Sequence, residues 1–256
     1  MSYSTPINGQ QSRVQAVLDG LTLAGEPRAC VLPDSIPPHG NIIVFPGSFN
    51  PPTNAHLALL QAANVFAQTC PPAYVYAAMG KRTVDKEAVE RPTLLERLVL
   101  LAIVLRAHLP TTGMMVFNRG LYVEQAQAIR ATFPAVQRLL FLVGFDKIVQ
   151  IFDARYYTDR DASLSALFKL AELLVAPRGT DGERELDALV RRPENARFAN
   201  AVHALPIDAQ YRAMSSTKIR QMVVPRDVPP EVQRFMQETQ IYAAHAPVQD
   251  ITTQQI

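Results

Sequence analysis

The segment GSFNPPTNAHL, which starts at Gly47, combines small residues, a proline turn and a histidine in a spacing suited to phosphate binding. It follows the apolar run NIIVF, which predicts a buried strand. Gly47 lets the backbone approach a ligand closely, and Thr53 or Asn54 can cap a helix that starts there. The N–H groups at that helix start favour an anion, and His56 lies one turn inside, where its ring can donate to a phosphate oxygen. The alternative is an ordinary strand-to-helix turn with a surface histidine.

A second segment, AMSSTKIRQMV from Ala213 to Val223, places cations at the start of a predicted helix. Its serines can cap the helix, and the first turns then hold Lys218 and Arg220. Positive charge opposes the dipole at a helix N-terminus, so this pattern is favourable when an anion binds there. The alternative is a solvated basic helix start. The residues predicted to bind the nucleotide here are Ser215, Ser216, Thr217, Lys218 and Arg220.

The two segments resemble the signature motifs of the nucleotidyltransferase superfamily. There, a GxFxPxHxGH or GxFxPxTxxH stretch corresponds to the HIGH motif of class I aminoacyl-tRNA synthetases. The form GSFNPxTNxHL looks most like the eukaryotic-type nicotinamide/nicotinate mononucleotide adenylyltransferases: Thr53 stands where other branches carry the first histidine, and His56 matches the second. SSTKIR is similar to the family's C-terminal (I/V)SSTxIR motif, with Met214 in place of Ile or Val. The resemblance implies a Rossmann-like, doubly wound parallel sheet that covers most of the chain.

Further candidate residues follow predicted strands. Gly144 and Asp146 follow the run FLV, where a carboxylate can accept hydrogen bonds from ribose hydroxyls, as a G-x-D of the family does; the alternative is a helix cap. Arg178 resembles an arginine that the family often places near the adenine or the phosphates, with an exposed loop arginine as the alternative. The family also keeps a lysine in the loop after the second strand, for which Lys86 is favoured over Lys81.

Two further features concern the acceptor side. Arg97 either faces the same site or is a surface charge beside Glu96 on its helix. The chain has no tryptophan, whereas enzymes of this family that use nicotinamide mononucleotide (NMN) often stack one on the pyridine ring. Another flat ring could replace it, with core packing as the alternative for each candidate, and the missing tryptophan leaves the acceptor open. The candidate rings are Tyr156 and Tyr157, and also Phe117 and Tyr122.

The elements that must position these residues alternate along the chain. The predicted strands are NIIVF, AYVYAA, MMVF, RLLFLVG, LLVAP and VHALPI, and helical patterns separate them. Such an alternation predicts an α/β protein whose parallel sheet is covered on both faces, with ligands at the carboxyl ends of the strands. We predict an N-terminal helix and a Pro-rich linker over residues 1–40, a nucleotidyltransferase domain over 41–246 and a polar tail over 247–256.

Composition and charge exclude several classes of protein. Hydrophobic residues make up 48% and charged residues 19% of the chain, as in a folded protein with a core. The net charge of +2 is too small for a broad basic face that binds nucleic acid. The longest apolar run, LVLLAIVL, is far shorter than the roughly 20 residues that span a bilayer. Cys30 and Cys70 form no metal-spaced pair, so we expect no protein metal site and a reduced, cytoplasmic protein, with the nucleus as an alternative.

The resemblance implies transfer of the adenylyl group of ATP to a mononucleotide, NMN or nicotinate mononucleotide, with release of pyrophosphate. It implies that Lys86 binds the acceptor phosphate and that Arg220 binds the outer phosphates of ATP. It also implies that Mg²⁺ bridges the phosphates. The expected partners are ATP and a phosphate-bearing small molecule, with a homo-oligomer left open. The alternatives are an adenylyltransferase or ATPase with another substrate, and a non-catalytic nucleotide sensor. The α- and β-phosphates would meet His56 and the backbone amides of Gly47, Ser48, Phe49 and Asn50.

Overall fold

A computed structural model of the chain describes residues 4–81, 92–177, 181–205, 207 and 227–239. Within them, seven strands form a single sheet in the order β1-β4-β3-β2-β5-β6-β7. Neighbouring strands run parallel, except that β1 is antiparallel to β4. The strands are β1 (Ala29–Val31), β2 (Gly40–Pro46), β3 (Ala73–Gly80), β4 (Gly113–Phe117), β5 (Val136–Gly144), β6 (Glu172–Ala176) and β7 (Val202–Ala204).

Helices connect the parallel strands and cover the sheet. Short 3₁₀ helices occupy Ala154–Tyr156 and Ala196–Ala201. Among the described residues, no helix has both the length and the apolarity required to cross a membrane. The α-helices are α1 (Ser4–Gly20), α2 (Asn54–Ala67), α3 (Leu94–His108), α4 (Tyr122–Thr132), α5 (Phe145–Phe152), α6 (Arg160–Leu170), α7 (Gly182–Val190) and α8 (Pro230–Thr239).

The central strands are buried on both faces, which confirms the α/β, Rossmann-like fold class. Along β2, Ile42 and Val44 point into a core built with α4 to α7, whereas Ile43 and Phe45 point into a second core built with α1 to α3. Alternate residues of one strand therefore serve opposite layers. Burying each such side chain contributes about 1.5–3 kcal/mol to folding, and this explains why the strand sequences carry no polar face.

The segment before β2 differs from the expected linker. The predicted N-terminal helix is present as α1, and its side chains Val14 and Leu18 join the core on the α1 to α3 side. Within the Pro-rich stretch, Ala29–Val31 forms the edge strand β1. A three-residue strand has too little periodicity to be predicted locally, because its pairing with β4 depends on tertiary contacts. The domain start at residue 41 stays a prediction, and the tail over 247–256 lies outside the described residues.

Candidate active site

The strand order creates a crevice at the carboxyl ends of β2 and β5. These neighbouring parallel strands lie where the chain reverses its direction of winding, since β3 and β4 follow on one side and β6 and β7 on the other. In open α/β sheets, ligands bind at such a switch point. β2 ends at Pro46 and β5 at Gly144, so the GSFNPPTNAH segment and Asp146 both follow strands that border this crevice.

Gly47 is required by its neighbour Phe49. A Cβ atom on Gly47 would lie 2.9 Å from ring carbon Cε2 of Phe49, closer than real Cβ contacts come. The Phe49 ring is fully buried, 5.5 Å from the Phe45 ring and 4.9 Å from the His56 ring between centroids. Its backbone has a φ of +42°, which a bulky residue adopts only where its surroundings hold it. The Phe49 side chain thus shapes the turn, and only its backbone can serve a ligand.

Thr53 and His56 form a reciprocal cap at the start of α2. The hydroxyl oxygen of Thr53 accepts the backbone N–H of His56, while the backbone N–H of Thr53 donates to Nδ1 of His56 at 3.0 Å. The Thr53 hydroxyl also lies 2.8 Å from Nδ1. Thr53 is 1% exposed. Because Nδ1 accepts hydrogen bonds, the neutral imidazole carries its proton on Nε2, where it is a donor. The capping box therefore fixes the ring of His56 at a helix start that favours anions.

Arg97 of α3 contacts the same turn. Its side chain is 7% exposed, and its terminal nitrogen Nη1 donates to the carbonyl oxygen of Ser48 at 2.9 Å. A guanidinium is always charged, so a cation lies against the backbone of the turn after β2. Arg97 is therefore not the surface charge of the second alternative, and it contacts the turn that the sequence predicts to bind phosphate.

The side-chain oxygen of Asn50 adds a second polar feature to the turn. It is buried, and within the part of the chain that the structure describes it has no hydrogen-bond partner. Buried polar atoms in native proteins nearly always have a partner, and an orphan points to an absent ligand or water. Asn50 was predicted as a nucleotide-binding residue, and this orphan acceptor is compatible with that role.

Across the crevice, Gly144 and Asp146 lie at the start of α5. Gly144 is the N-cap residue of α5 and has no side chain that could cap the helix. Among the described residues, a Cβ atom on Gly144 would have no neighbour within 4 Å. Asp146 lies in the first turn of α5 and is exposed. A carboxylate in this position can accept hydrogen bonds from hydroxyl groups of a ligand in the crevice.

A comparison with known sequences finds a relative in Schizosaccharomyces pombe that carries the name "Putative nicotinamide mononucleotide adenylyltransferase". The two sequences are 27% identical over 148 residues, which cover 55% of this chain and 55% of the relative. The chain thus spans about half the length of the relative that it matches. No family model matches the chain. This similarity favours a nucleotidyltransferase as the class of enzyme and leaves the acceptor open.

Of the predicted stacking rings, only one is prominently exposed. Tyr156 ends a 3₁₀ helix and is 48% exposed. Tyr157 packs against the core, and its hydroxyl donates to the carbonyl oxygen of Ile151 at 2.7 Å. Burial raises the pKa of the Tyr157 hydroxyl. Phe117 is a fully buried core residue, and Tyr122 packs edge-on against a core phenylalanine. These contacts favour Tyr156 over the other three rings.

Several predicted site residues fall beyond the part of the chain that the structure describes. Lys81, the alternative to Lys86, is described: its amine donates to the carbonyl oxygens of Leu18 and Leu21, at 2.7 and 2.8 Å. Among the described residues, no group of three His, Cys, Asp or Glu is arranged to hold a metal ion. The predicted residues outside the described ranges are Lys86, Arg178, Ser215, Ser216, Thr217, Lys218 and Arg220.

The flanks of the SSTKIR segment are described on both sides. Before it, β7 ends at Ala204, on the same edge of the sheet as the crevice, because β7 runs parallel to β6. After it, Val228 and Val232 pack against Leu100 and Val104 of α3. Leu57, the residue after His56, packs against this same cluster. The described residue before the segment thus lies at the crevice edge, and the described residues after it lie beside α3 and α2.

The buried contacts of two polar residues, Arg97 and Asn118, could not be predicted with certainty from the sequence. The sequence allows two interpretations of Arg97, although an arginine among the apolar residues of LLERLVLLAIVL indicates a buried polar contact. Asn118 directly follows β4, and no sequence motif indicates a role for it. It is fully buried, and its hydrogen bonds reach residues 22–28. No local sequence pattern predicts hydrogen bonds between residues so far apart in the sequence.

Proposed function

We propose that the protein transfers the adenylyl group of ATP to the phosphate of a mononucleotide, NMN or nicotinate mononucleotide. The products would be a dinucleotide, NAD or its deamido form, and pyrophosphate, which assigns the enzyme to NAD biosynthesis. The observation that carries the proposal is the Thr53–His56 cap at the start of α2, beside the switch point of the sheet. The name of the fission yeast relative supports the same reaction.

In the proposed step, an oxygen of the acceptor phosphate attacks the α-phosphorus of ATP in line with the leaving group. One P–O bond forms to the acceptor, the P–O bond between the α-phosphorus and the bridging oxygen breaks, and pyrophosphate leaves with the electron pair. No covalent intermediate with the protein is needed. Negative charge grows on the α- and β-phosphate oxygens, so catalysis rests on position and on donors aimed at those oxygens.

His56 is the central donor in this proposal. With Nδ1 held by Thr53, the Nε2–H group would donate to a phosphate oxygen as charge develops. The backbone amides of Gly47–Asn50 would assist it. Arg97, through its bond to the Ser48 carbonyl, would hold these amides in place and add positive charge behind them.

The SSTKIR segment would supply a second set of contacts to the phosphates of ATP. Its serines and Arg220 would bind the β- and γ-phosphates, with Thr217 and Lys218 beside them, and Arg178 would lie near the adenine or the phosphates. These roles come from the sequence resemblance. They are compatible with the described flanks, since β7 ends at the crevice edge and α8 packs beside Leu57.

The acceptor would bind next to the α-phosphate. Lys86, which follows β3 in the sequence, would draw its phosphate close. Tyr156 is the best exposed of the candidate stacking rings, but it follows β5, on the side of β2 that the residues proposed for ATP occupy. Mg²⁺ would arrive bound to the phosphates of ATP. It would neutralise charge on the phosphates, and the residues named above would do the positioning.

Pyrophosphate release tests the proposal. ATP is mixed with wild-type protein alone and together with NMN, nicotinate mononucleotide or phosphopantetheine, and pyrophosphate and inorganic phosphate are both measured. We expect pyrophosphate only when ATP and one of the two mononucleotides are both present. Phosphate from ATP alone would indicate an ATPase, and ATP binding without either product would indicate a sensor. Either result would overturn the assignment.

A further inference from the structure

The loop between α1 and β1 lies at the same edge of the sheet as the crevice. Strand β1 is antiparallel to β4, and Ala29 pairs with Phe117, the last residue of β4. β1 therefore begins where β4 ends. Residues 21–28, which lead into β1, must lie beside the carboxyl ends of the parallel strands, where ligands of such sheets bind.

Asn118 fastens this loop to the end of β4. Its side-chain oxygen accepts the backbone N–H of Arg28 at 2.7 Å, and its amide nitrogen donates to the carbonyl oxygens of Thr22 and Glu26, both at 3.0 Å. Arg119 adds a bond to the carbonyl oxygen of Gly25. Asn118 is fully buried. A buried amide that satisfies three backbone groups of one loop fixes the loop in a single conformation.

Lys81 fastens the other end of the loop to β3. Lys81 directly follows β3, and its backbone N–H donates to the carbonyl oxygen of Phe117 at 2.7 Å. Its side-chain amine donates to the carbonyl oxygens of Leu18 and Leu21, at the C-terminal end of α1. A cation at a helix C-terminus is favourable because the unpaired carbonyls carry partial negative charge. The loop is thus tied at both ends to the carboxyl ends of β3 and β4.

In the proposed function, the acceptor binds at the carboxyl ends of β3 and β4. The residues proposed for ATP follow β2, β5, β6 and β7 in the sequence: His56, Asp146, Arg178 and Arg220. The lysine proposed for the acceptor phosphate, Lys86, follows β3. The strands β3 and β4 lie on the far side of β2 from β5. A mononucleotide whose phosphate meets the α-phosphate at the switch point extends toward their ends.

We infer that residues 21–28 form the outer wall of the acceptor site, and that Asn118 and Lys81 are positioning residues that set the affinity for the mononucleotide. The inference rests on the proposed function. It gives the segment before β2 a role in substrate selection, since the loop presents exposed side chains, Leu23 among them, at this edge. The wall would contact the part of the acceptor that lies away from its phosphate.

Two measurements test the wall. In wild-type protein, we expect NMN or nicotinate mononucleotide to slow amide hydrogen exchange in residues 21–28, whereas a non-hydrolysable ATP analogue alone does not. In steady-state pyrophosphate assays, we expect Asn118→Leu and Lys81→Met each to raise KM for the acceptor about tenfold, with KM for ATP changed less than about twofold, because a released wall must be ordered again on binding. Lys169→Met, an exposed lysine at the end of α6, is the matched control.

Asn118→Leu removes a buried amide and could unfold the chain, so Lys81→Met and the exchange experiment decide the question if it does. An unchanged acceptor KM in folded Lys81→Met protein, together with unchanged exchange in residues 21–28, would overturn the inference. If wild-type protein releases no pyrophosphate with any acceptor, the proposed function fails. The exchange experiment then still shows whether a mononucleotide contacts this loop.

Discussion

Nδ1 of His56 lies 3.0 Å from the backbone nitrogen and 2.8 Å from the hydroxyl oxygen of Thr53. This contact joins two properties of the turn after β2. It satisfies a backbone N–H group at the start of α2, which contributes to stability. It also fixes the tautomer of the histidine, so that Nε2 carries the proton of the neutral ring. One capping box therefore serves both the fold and the proposed chemistry.

Removal of the His56 ring should lower turnover far more than stability. We expect His56→Ala to reduce kcat by on the order of 10²–10³, as deletion of a single charge-stabilising donor does in other enzymes. The measurement is pyrophosphate release at saturating ATP and acceptor, with circular dichroism to check the fold. His39→Ala is the control, because His39 directly precedes Gly40, the first residue of β2, at the opposite edge of the sheet. Wild-type turnover in His56→Ala would remove the assigned role.

The hydroxyl of Thr53 can be deleted with little change in shape. Thr53→Val loses the acceptor for the His56 backbone N–H and one contact to Nδ1. We expect the free energy of unfolding to fall by about 0.5–2 kcal/mol, the usual cost of losing an N-cap. Turnover should fall less than in His56→Ala, because the Thr53 backbone N–H still holds the ring. Thr53→Ser keeps the hydroxyl and should restore both quantities; a Ser variant that resembles Val would contradict the capping role.

Arg97 and Arg106 lie on the same helix, α3, and form a matched pair. Arg97 is buried and donates to the Ser48 carbonyl, whereas the Arg106 side chain is 62% exposed. A lysine presents a point charge in place of the planar fork, so Arg97→Lys should lower the free energy of unfolding by about 1–3 kcal/mol. The turn that it supports should shift, and kcat/KM for ATP should fall roughly tenfold or more.

Urea unfolding and ATP titrations of both variants check this expectation. Arg106→Lys should change the free energy of unfolding by less than about 0.5 kcal/mol, as surface substitutions usually do. Equal effects of the two variants would mean that the contact with Ser48 does not support the turn.

A fourth prediction concerns the amino-end edge of the sheet. Glu172 of β6 accepts two hydrogen bonds from Arg138 of β5, at 2.8 and 2.6 Å, and also contacts His203 of β7. The bonds from Arg138 are the main cause that lowers the pKa of Glu172, and His203 lowers it further. Such a carboxyl stabilises the fold above its unfolded pKa, near about 4.3, and the contribution is lost as pH falls through the folded pKa.

Glu172→Gln should therefore lower the free energy of unfolding by about 1 kcal/mol near neutral pH, since the pair is partly exposed. The difference from wild type should shrink as the pH falls from the unfolded pKa of Glu172 through its lower folded pKa. Urea unfolding at a series of pH values checks this. Asp187→Asn, which breaks the exposed ion pair with Arg191 within α7, is the control and should have almost no effect. A difference that stays constant down to strong acid would contradict the role of ionised Glu172.

Much of the sheet could be predicted from the sequence because its central strands are apolar on both faces. The helix α5 could not, since it begins directly after β5 and no turn residues separate FLVG from FDKIVQIF. β1 could not be predicted either, because it lies in a Pro-rich segment and its three residues form a strand only by pairing with β4. In both cases tertiary contacts, absent from any local pattern, decide the structure.

The candidate site, too, could be predicted only in part from the sequence. A helix cap at Thr53 or Asn54 followed from residue types and spacing, and the structure selects Thr53. The contact of Gly47 with Phe49 did not, because it depends on where the turn places the Phe49 ring. The contacts of Asn118 with residues 22–28 join positions about 90 apart in sequence. Such distances carry no periodicity from which a contact could be predicted.

The two glycines that border the crevice should respond differently to a methyl group. In Gly47→Ala the new Cβ would lie 2.9 Å from the Phe49 ring, and such overpacking should cost about 1–3 kcal/mol in unfolding free energy. In Gly144→Ala the Cβ meets no atom of the described residues within 4 Å and φ is −78°, so the stability should change by less than about 1 kcal/mol, because the smaller conformational entropy of the unfolded chain opposes the loss of a favoured N-cap residue. If ATP passes over Gly144, its Kd should still rise, by roughly tenfold for about 1.4 kcal/mol of lost contact. Thermal unfolding and calorimetric ATP titration of both variants distinguish these effects, and unchanged ATP binding in Gly144→Ala would move the nucleotide away from β5.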